Sequence, residues 1–191
     1  MELSIVRFLN ALGRPTIDPF TEFFCQVPFL VALWIGCALV AVRRDKVNGK
    51  RAAMALFAAL AVHFVISEGL LKHALVAVSH MRIRPYLADP SEIVPVGTRF
   101  TDSSFPSSHL ASTSAALTAL TLYYRRAIPA AISFVLLMAF CRMHNGMHFP
   151  SDVTAGALLG IGYGLSAKRL VERYVPAASP VAVPAIAPPE E

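Results

Sequence analysis

Arg142, His144, His148 and Asp152 bring a guanidinium, two imidazoles and a carboxylate into one short stretch of chain. His148 and Asp152 are four residues apart, so in a helix they share a face. Pro150 between them suits a first helical turn. Asp152 could accept a hydrogen bond from one ring nitrogen of His148, fixing its tautomer and leaving the other nitrogen for a substrate. That is the nucleophile-and-orienter logic of catalytic triads. The alternative is a structural pair that caps a helix.

Two further groups suit anion chemistry. Ser103, Ser104, Ser107 and Ser108 surround Pro106 where a helix is expected to begin, with His109 in its first turn. A helix N-terminus offers free amides and a positive dipole end to phosphate. His109 could hand a proton to a leaving oxygen. Plain serine capping is the simpler alternative. Arg84 precedes Pro85, with Arg82 two residues earlier. A guanidinium fork matches phosphate oxygens bidentately, whereas interfacial snorkelling is the plainer role for Arg82. Zinc ligation by His144, His148 and Asp152 competes with these readings. No HExxH motif accompanies it, and the nearby arginines would repel a cation, so no metal site is assigned.

Such groups need a scaffold, and the composition indicates a membrane one. Of 191 residues, 55% are hydrophobic and 15% charged. Soluble domains average about 45–50% apolar and about 25% charged. Apolar stretches run over 23–42, 52–79 (broken by Glu68 and Lys72), 109–124, 127–141 and 153–167. The fold expected is an all-α polytopic bundle of about five transmembrane helices. An amphipathic helix precedes them over Met1–Arg14, where Leu3, Val6, Leu9 and Leu12 recur at helical spacing. It lacks the basic start and cleavage site of a signal peptide. Gly156, Gly160 and Gly164 form a small-residue stripe suited to packing within the bundle. Cys25, Cys37 and Cys141 show no CxxC spacing and imply no disulfide framework.

The net charge of +5 could suggest nucleic acid, but its distribution points to membrane orientation. Arg43, Arg44, Lys46, Lys50, Arg51, Arg125, Arg126, Lys168, Arg169 and Arg173 would all fall on one face, expected to be cytoplasmic. The candidate chemistry then faces the periplasm or exterior of the cell membrane. Residues 1–175 are expected to form one membrane-embedded domain. Residues 176–191, rich in Pro and Ala, read as a disordered cytoplasmic tail.

Taken in order, the three groups resemble the signature of the type 2 phosphatidic-acid phosphatase family of membrane lipid phosphatases. That signature is a Lys spaced six residues before Arg-Pro, then Pro-Ser-Gly-His, then Ser-Arg followed by His and Asp. Here the second part reads Pro106-Ser107-Ser108-His109, and Arg142, His148 and Asp152 keep the family spacing of the third. The resemblance covers about residues 52–164. The family lysine falls at Ala77, so Lys72 or Arg82 would have to replace it; Ser108 stands for the Gly and Cys141 for the Ser. Ser108, the compact size and the string His148-Phe149-Pro150-Ser151-Asp152-Val153 are similar to the undecaprenyl-diphosphate phosphatase branch.

The resemblance implies a metal-independent mechanism without cofactor. Arg84, Arg142, Ser107, the amides near Ser108 and, as a further candidate, Arg82 would hold the phosphate. His148 would attack phosphorus to form a phosphohistidine, Asp152 would orient it, and His109 would protonate the leaving group and then activate water. The implied substrate is a lipid phosphate or diphosphate, undecaprenyl diphosphate first, with phosphatidate or phosphatidylglycerophosphate as the alternative. A non-enzymatic lipid-binding protein with a decayed site is the reading from another class, favoured by the missing lysine and opposed by His109, His148 and Asp152. A haloperoxidase sharing the motifs would be soluble, and a transporter would need more polar residues through the membrane centre. The sequence carries no signal for oligomeric state.

Overall fold

The structure, a computed structural model, describes residues 1–71, 74 and 81–176. Every regular element among them is helical: α1 (Glu2–Ala11), α2 (Asp18–Phe24), α3 (Val27–Arg44), α4 (Gly49–His63) running into a π-helical stretch (Phe64–Leu71), α5 (Pro85–Ala88), α6 (Ser108–Thr121), a 3-10 turn (Arg125–Ala127), α7 (Ile128–His144) and α8 (Pro150–Tyr174). Lys72, Ala77 and the tail from residue 177 lie outside the described residues.

Among the described residues, three helical stretches are long and apolar enough to cross a membrane: Val27–Arg44, Gly49–Leu71 and Arg125–His144. They carry the exposed aliphatic and aromatic side chains, among them Val31, Leu39, Phe57, Phe64, Ile132 and Leu136. Contiguous apolar surface of this kind is stable against lipid rather than water. The other two expected spans became α6 and α8. With 14 residues, α6 is about 21 Å long, short of a bilayer core of about 30 Å. It packs most extensively against α8 at the centre of the bundle. Ala111, Ala115, Ala119 and Ala167 are fully buried there, so these helices face protein more than lipid. The glycine stripe serves this contact: a methyl group built on Gly156 would sit 2.5 Å from the Ser107 carbonyl oxygen.

The long helices alternate in direction, which gathers the basic ends. Arg51 Nε donates to the Val175 carbonyl at 3.0 Å, and the Lys168 ammonium lies 5.6 Å from the centre of the Tyr123 ring. The opposite end is covered by α1. Its inner face buries Val6 against Tyr86, Ile93, Met147 and Phe149. Asn10 Nδ2 donates to the Val94 and His144 carbonyls, at 2.9 and 2.5 Å. The amphipathic pattern of the N-terminal segment thus closes one end of the bundle, with Phe8 left exposed.

Candidate active site

The third motif straddles the turn between α7 and α8. Arg142 lies in the last turn of α7, and His148 sits in the linking loop. Asp152 is in the first turn of α8, where its Oδ2 accepts the Phe149 amide at 2.8 Å. All three are buried. His148 Nδ1 lies 2.8 Å from the carbonyl oxygen of Ser104. A carbonyl only accepts, so Nδ1 carries the proton and Nε2 keeps its lone pair. Arg142 Nη2 donates towards that lone pair at 3.3 Å. Burial first, then the Arg142 and Arg84 charges, holds the His148 imidazole neutral well below its ordinary pKa of 6.5.

The expected hydrogen bond from His148 to Asp152 is replaced by the one to Ser104. Asp152 Oδ2 is 3.9 Å from His148 Nδ1, which is an ion-pair distance at most. Asp152 Oδ1 instead takes Arg82 Nη1 at 2.6 Å. Arg82 also donates to Ser151 Oγ and, through Nη2, to Glu2 Oε2, both at 2.5 Å, and lies 4.2 Å over the Phe149 ring. Arg82 is thus tied to two carboxylates at the start of α8, and the cavity beside His148 is lined without it. The geometry does not offer it as a replacement for the motif lysine.

That cavity, of about 350 Å³, unites the remaining groups. Arg84, Asp102, Ser108, His109, Arg142 and His148 line it together with the apolar Val27, Leu30, Val31, Trp34, Leu60 and Phe64. A second cavity, of about 330 Å³ and lined by Glu22, Gln26, Thr98 and Asn145, meets it at His109 and Arg142. The imidazole of His109 bonds through Nε2 to the Cys25 carbonyl at 2.8 Å, so Nε2 carries its proton and Nδ1 remains to exchange one. Ser108 Oγ donates to Glu68 on the π-helical stretch rather than facing a phosphate unshared. Ser107 caps α6, is fully buried and does not line the cavity; among the described residues its hydroxyl has no hydrogen-bond partner. Arg84 is 5% exposed, donating to the Asp102 carboxylate and to the Asp102, Ser103 and Met147 carbonyls.

His144 takes no part. Its Nδ1 meets the Leu9 carbonyl at 2.8 Å and its Nε2 meets Asp18 Oδ1 at 2.9 Å, which commits the ring to α1 and α2. The His144–His148–Asp152 metal set is therefore not assembled.

Residues 52–175 match the profile of the PAP2 superfamily. The chain belongs to that superfamily of membrane lipid phosphatases. As a PAP2 protein it is a phosphoric-ester hydrolase by family. It is 25% identical over 163 residues to the bacitracin transport permease protein BcrC of Bacillus licheniformis, covering 84% of this chain and 76% of that protein. It is 37% identical over 93 residues to the decaprenylphosphoryl-5-phosphoribose phosphatase of Mycobacterium tuberculosis, a match of 48% of this chain and 51% of that one. Two solved PAP2-like folds superpose. LpxE of Aquifex aeolicus does so with TM-score 0.67 at 23% identity, over 88% of this chain and 94% of that one. A transmembrane PAP2 type phosphatidylglycerolphosphate phosphatase of Bacillus subtilis gives 0.68 at 17%, over 91% and 85%.

Sequence reasoning singled out Ser104 for its hydroxyl and missed its carbonyl, and it missed Cys25, Asp102 and Glu68 as partners in this PAP2 site. Ser104 and Cys25 act through backbone carbonyls, which leave no side-chain signature. Asp102 stands close before the Pro106 motif, and Glu68 is an acid inside an apolar run; both positions were the available signals.

Proposed function

We propose that this PAP2 protein hydrolyses a polyprenyl lipid phosphate or diphosphate, undecaprenyl diphosphate in the first instance, with His148 as nucleophile. The observation that carries the proposal is the Nδ1–H to Ser104 carbonyl bond, which leaves the His148 Nε2 lone pair among the arginines of the cavity. Nε2 attacks phosphorus as the bond to the leaving oxygen breaks, giving a phosphohistidine. The charges of Arg84 and Arg142 stabilise the transferring phosphoryl group. His109 takes up a proton at Nδ1 as the anionic phosphate binds, gives it to the leaving oxygen, and takes one back from the water that then releases phosphate. Asp152, with Arg82 on its other oxygen, stabilises the charge that develops on His148.

The apolar side chains among the cavity's lining, from Val27 to Phe64, support a lipid tail lying beside the phosphate. The likeness to a decaprenylphosphoryl-sugar phosphatase supports a polyprenyl chain. The ten basic residues at the other end of the bundle support a cell-membrane protein whose site faces the periplasm or exterior. The test is phosphate release by purified protein in detergent with chelator present. Undecaprenyl diphosphate is expected to give the highest kcat/KM. Faster turnover of phosphatidate or phosphatidylglycerophosphate transfers the site to those lipids. No release from any of them by folded protein leaves lipid binding without catalysis.

A further inference from the structure

Two cavities meet at His109 and Arg142, and their linings differ. Leu30, Val31, Trp34, Leu60 and Phe64 give the cavity that holds His148 a large apolar share, which holds water poorly. The second cavity carries Glu22, Gln26, Thr98 and Asn145 instead. Glu22, Gln26 and Thr98 are exposed, whereas Arg142 and Asn145 are buried, so this cavity runs from a polar surface down to the site. Its outer loop is fixed at several points. The Val94 amide donates to Asn10 Oδ1 at 3.0 Å, the Val96 amide to the Asn145 carbonyl at 3.2 Å, and the Tyr86 hydroxyl to the Phe100 carbonyl at 2.8 Å. The loop passes close to the end of α2: a methyl group on Gly97 would sit 3.3 Å from Glu22 Cγ.

Among the described residues, two buried polar atoms of this lining, Arg142 Nε and Asn145 Oδ1, have no hydrogen-bond partner. One donates and the other accepts. Water does both and fits such a pair, whereas a phosphate anion has no use for the acceptor and is repelled by the Glu22 carboxylate at the mouth. The hydrolytic step needs a supply of water at this place. On the phosphohistidine reading above, on which this inference rests, water attacks phosphorus in line with the bond to His148 Nε2, from the face that the leaving oxygen vacated. The water oxygen bonds to phosphorus as the P–Nε2 bond breaks. The electron pair returns to Nε2, and one water proton passes to His109 Nδ1. A lipid tail among the apolar residues of the first cavity would shut water out there. We propose that the second cavity is the water inlet of the dephosphorylation step, with Arg142 Nε and Asn145 Oδ1 holding the entering water. Asn145 is then a positioning residue of the reaction, and Gln26 and Thr98 form the mouth of the inlet.

The experiment plugs the mouth from opposite flanks with Thr98→Trp and Gln26→Trp, both at exposed positions, and keeps Thr98→Ala as the open control. Purified full chains in detergent receive saturating undecaprenyl diphosphate or, in parallel, phosphatidate, each radiolabelled on its terminal phosphate. Base quenching preserves a phosphohistidine, which acid then releases. Both plugged variants are expected to accumulate at least about threefold more of this adduct than wild type and to lose kcat in proportion, while first-turnover release of the lipid product stays within about twofold. Thr98→Ala should behave as wild type. Unchanged adduct and kcat in both plugged variants overturn the inlet. Equal slowing of both steps overturns it too, because a blocked inlet spares the first. Turnover with no adduct in any of the proteins overturns the phosphohistidine reading, and this inference with it.

Discussion

His148 Nδ1 lies 2.8 Å from the carbonyl oxygen of Ser104, while the Asp152 carboxylate stands 3.9 Å away. A backbone carbonyl therefore sets the tautomer, and Asp152 acts on His148 through charge. The two residues should then fail differently. His148→Ala is expected to lower phosphate release from a lipid phosphate by at least about 10⁴-fold, as removal of a nucleophile does. Asp152→Asn, with the carbonyl still in place, is expected to cost about 10- to 100-fold. Equal losses in folded proteins would show that Asp152, not Ser104, governs the imidazole.

Arg82 separates a clamp from a phosphate ligand. Its Nη1 lies 2.6 Å from the fully buried Asp152 side chain, and its Nη2 holds Glu2 of α1. Breaking a fully buried pair costs several kcal/mol; because Arg82 is partly exposed, about 1–3 kcal/mol is expected for Arg82→Ala. A lowered melting temperature reads this loss. KM for the lipid should stay within about twofold, since uniform substrate binding is untouched. A large rise in KM with the melting temperature unchanged would return Arg82 to the phosphate site.

These two cases mark how much of the site the sequence could carry. The four-residue spacing brought His148 and Asp152 within 3.9 Å, although His148 lies in the loop before α8 rather than on its face, and the apolar runs placed the helices. Arg142, His109 and Arg84 also meet His148 as the motif order suggests. Distances across the bundle are another matter. Arg82 reaches Asp152 and Glu2 across 70 and 80 residues, and His109 reaches Cys25 across 84. Partners so remote, one of them a carbonyl, are set by helix packing and have no local pattern. Similarly, hydropathy marked 109–124 and 153–167 as spans without revealing that α6 and α8 pack on each other at the centre.

The pH dependence of the reaction follows from the burial of His148. Desolvation and then the two arginines depress its pKa well below 6.5, so the attacking neutral form persists through that value. The acid limb of kcat/KM, which reports the free enzyme, is expected below pH 6.5. Stability should follow the same sign. An imidazole that protonates more readily in the unfolded chain contributes fully above pH 6.5, and its contribution erodes as pH falls from there towards the depressed folded value. His148→Ala should flatten that part of the stability profile. An acid limb at or above pH 6.5 would contradict a buried, neutral nucleophile.

Gly156 tests whether the α6–α8 contact positions the site. A methyl group there would meet the Ser107 carbonyl oxygen at 2.5 Å and Leu110 Cβ at 3.1 Å. Ser107 caps α6, and its amide donates to the Asp152 carbonyl at 3.1 Å, so neither backbone can retreat without moving the motif. Gly156→Ala is expected to cost about 1–3 kcal/mol through overpacking and to lower activity with it. Gly162 is the control, on the same helix with nothing within 4 Å of an added methyl group. Gly162→Ala should be neutral or gain up to about 1 kcal/mol from helix propensity. Thermal melts in detergent beside phosphate-release rates give both readings. If Gly156→Ala melts and turns over like Gly162→Ala, the close approach of α6 and α8 does not hold the two motifs in register.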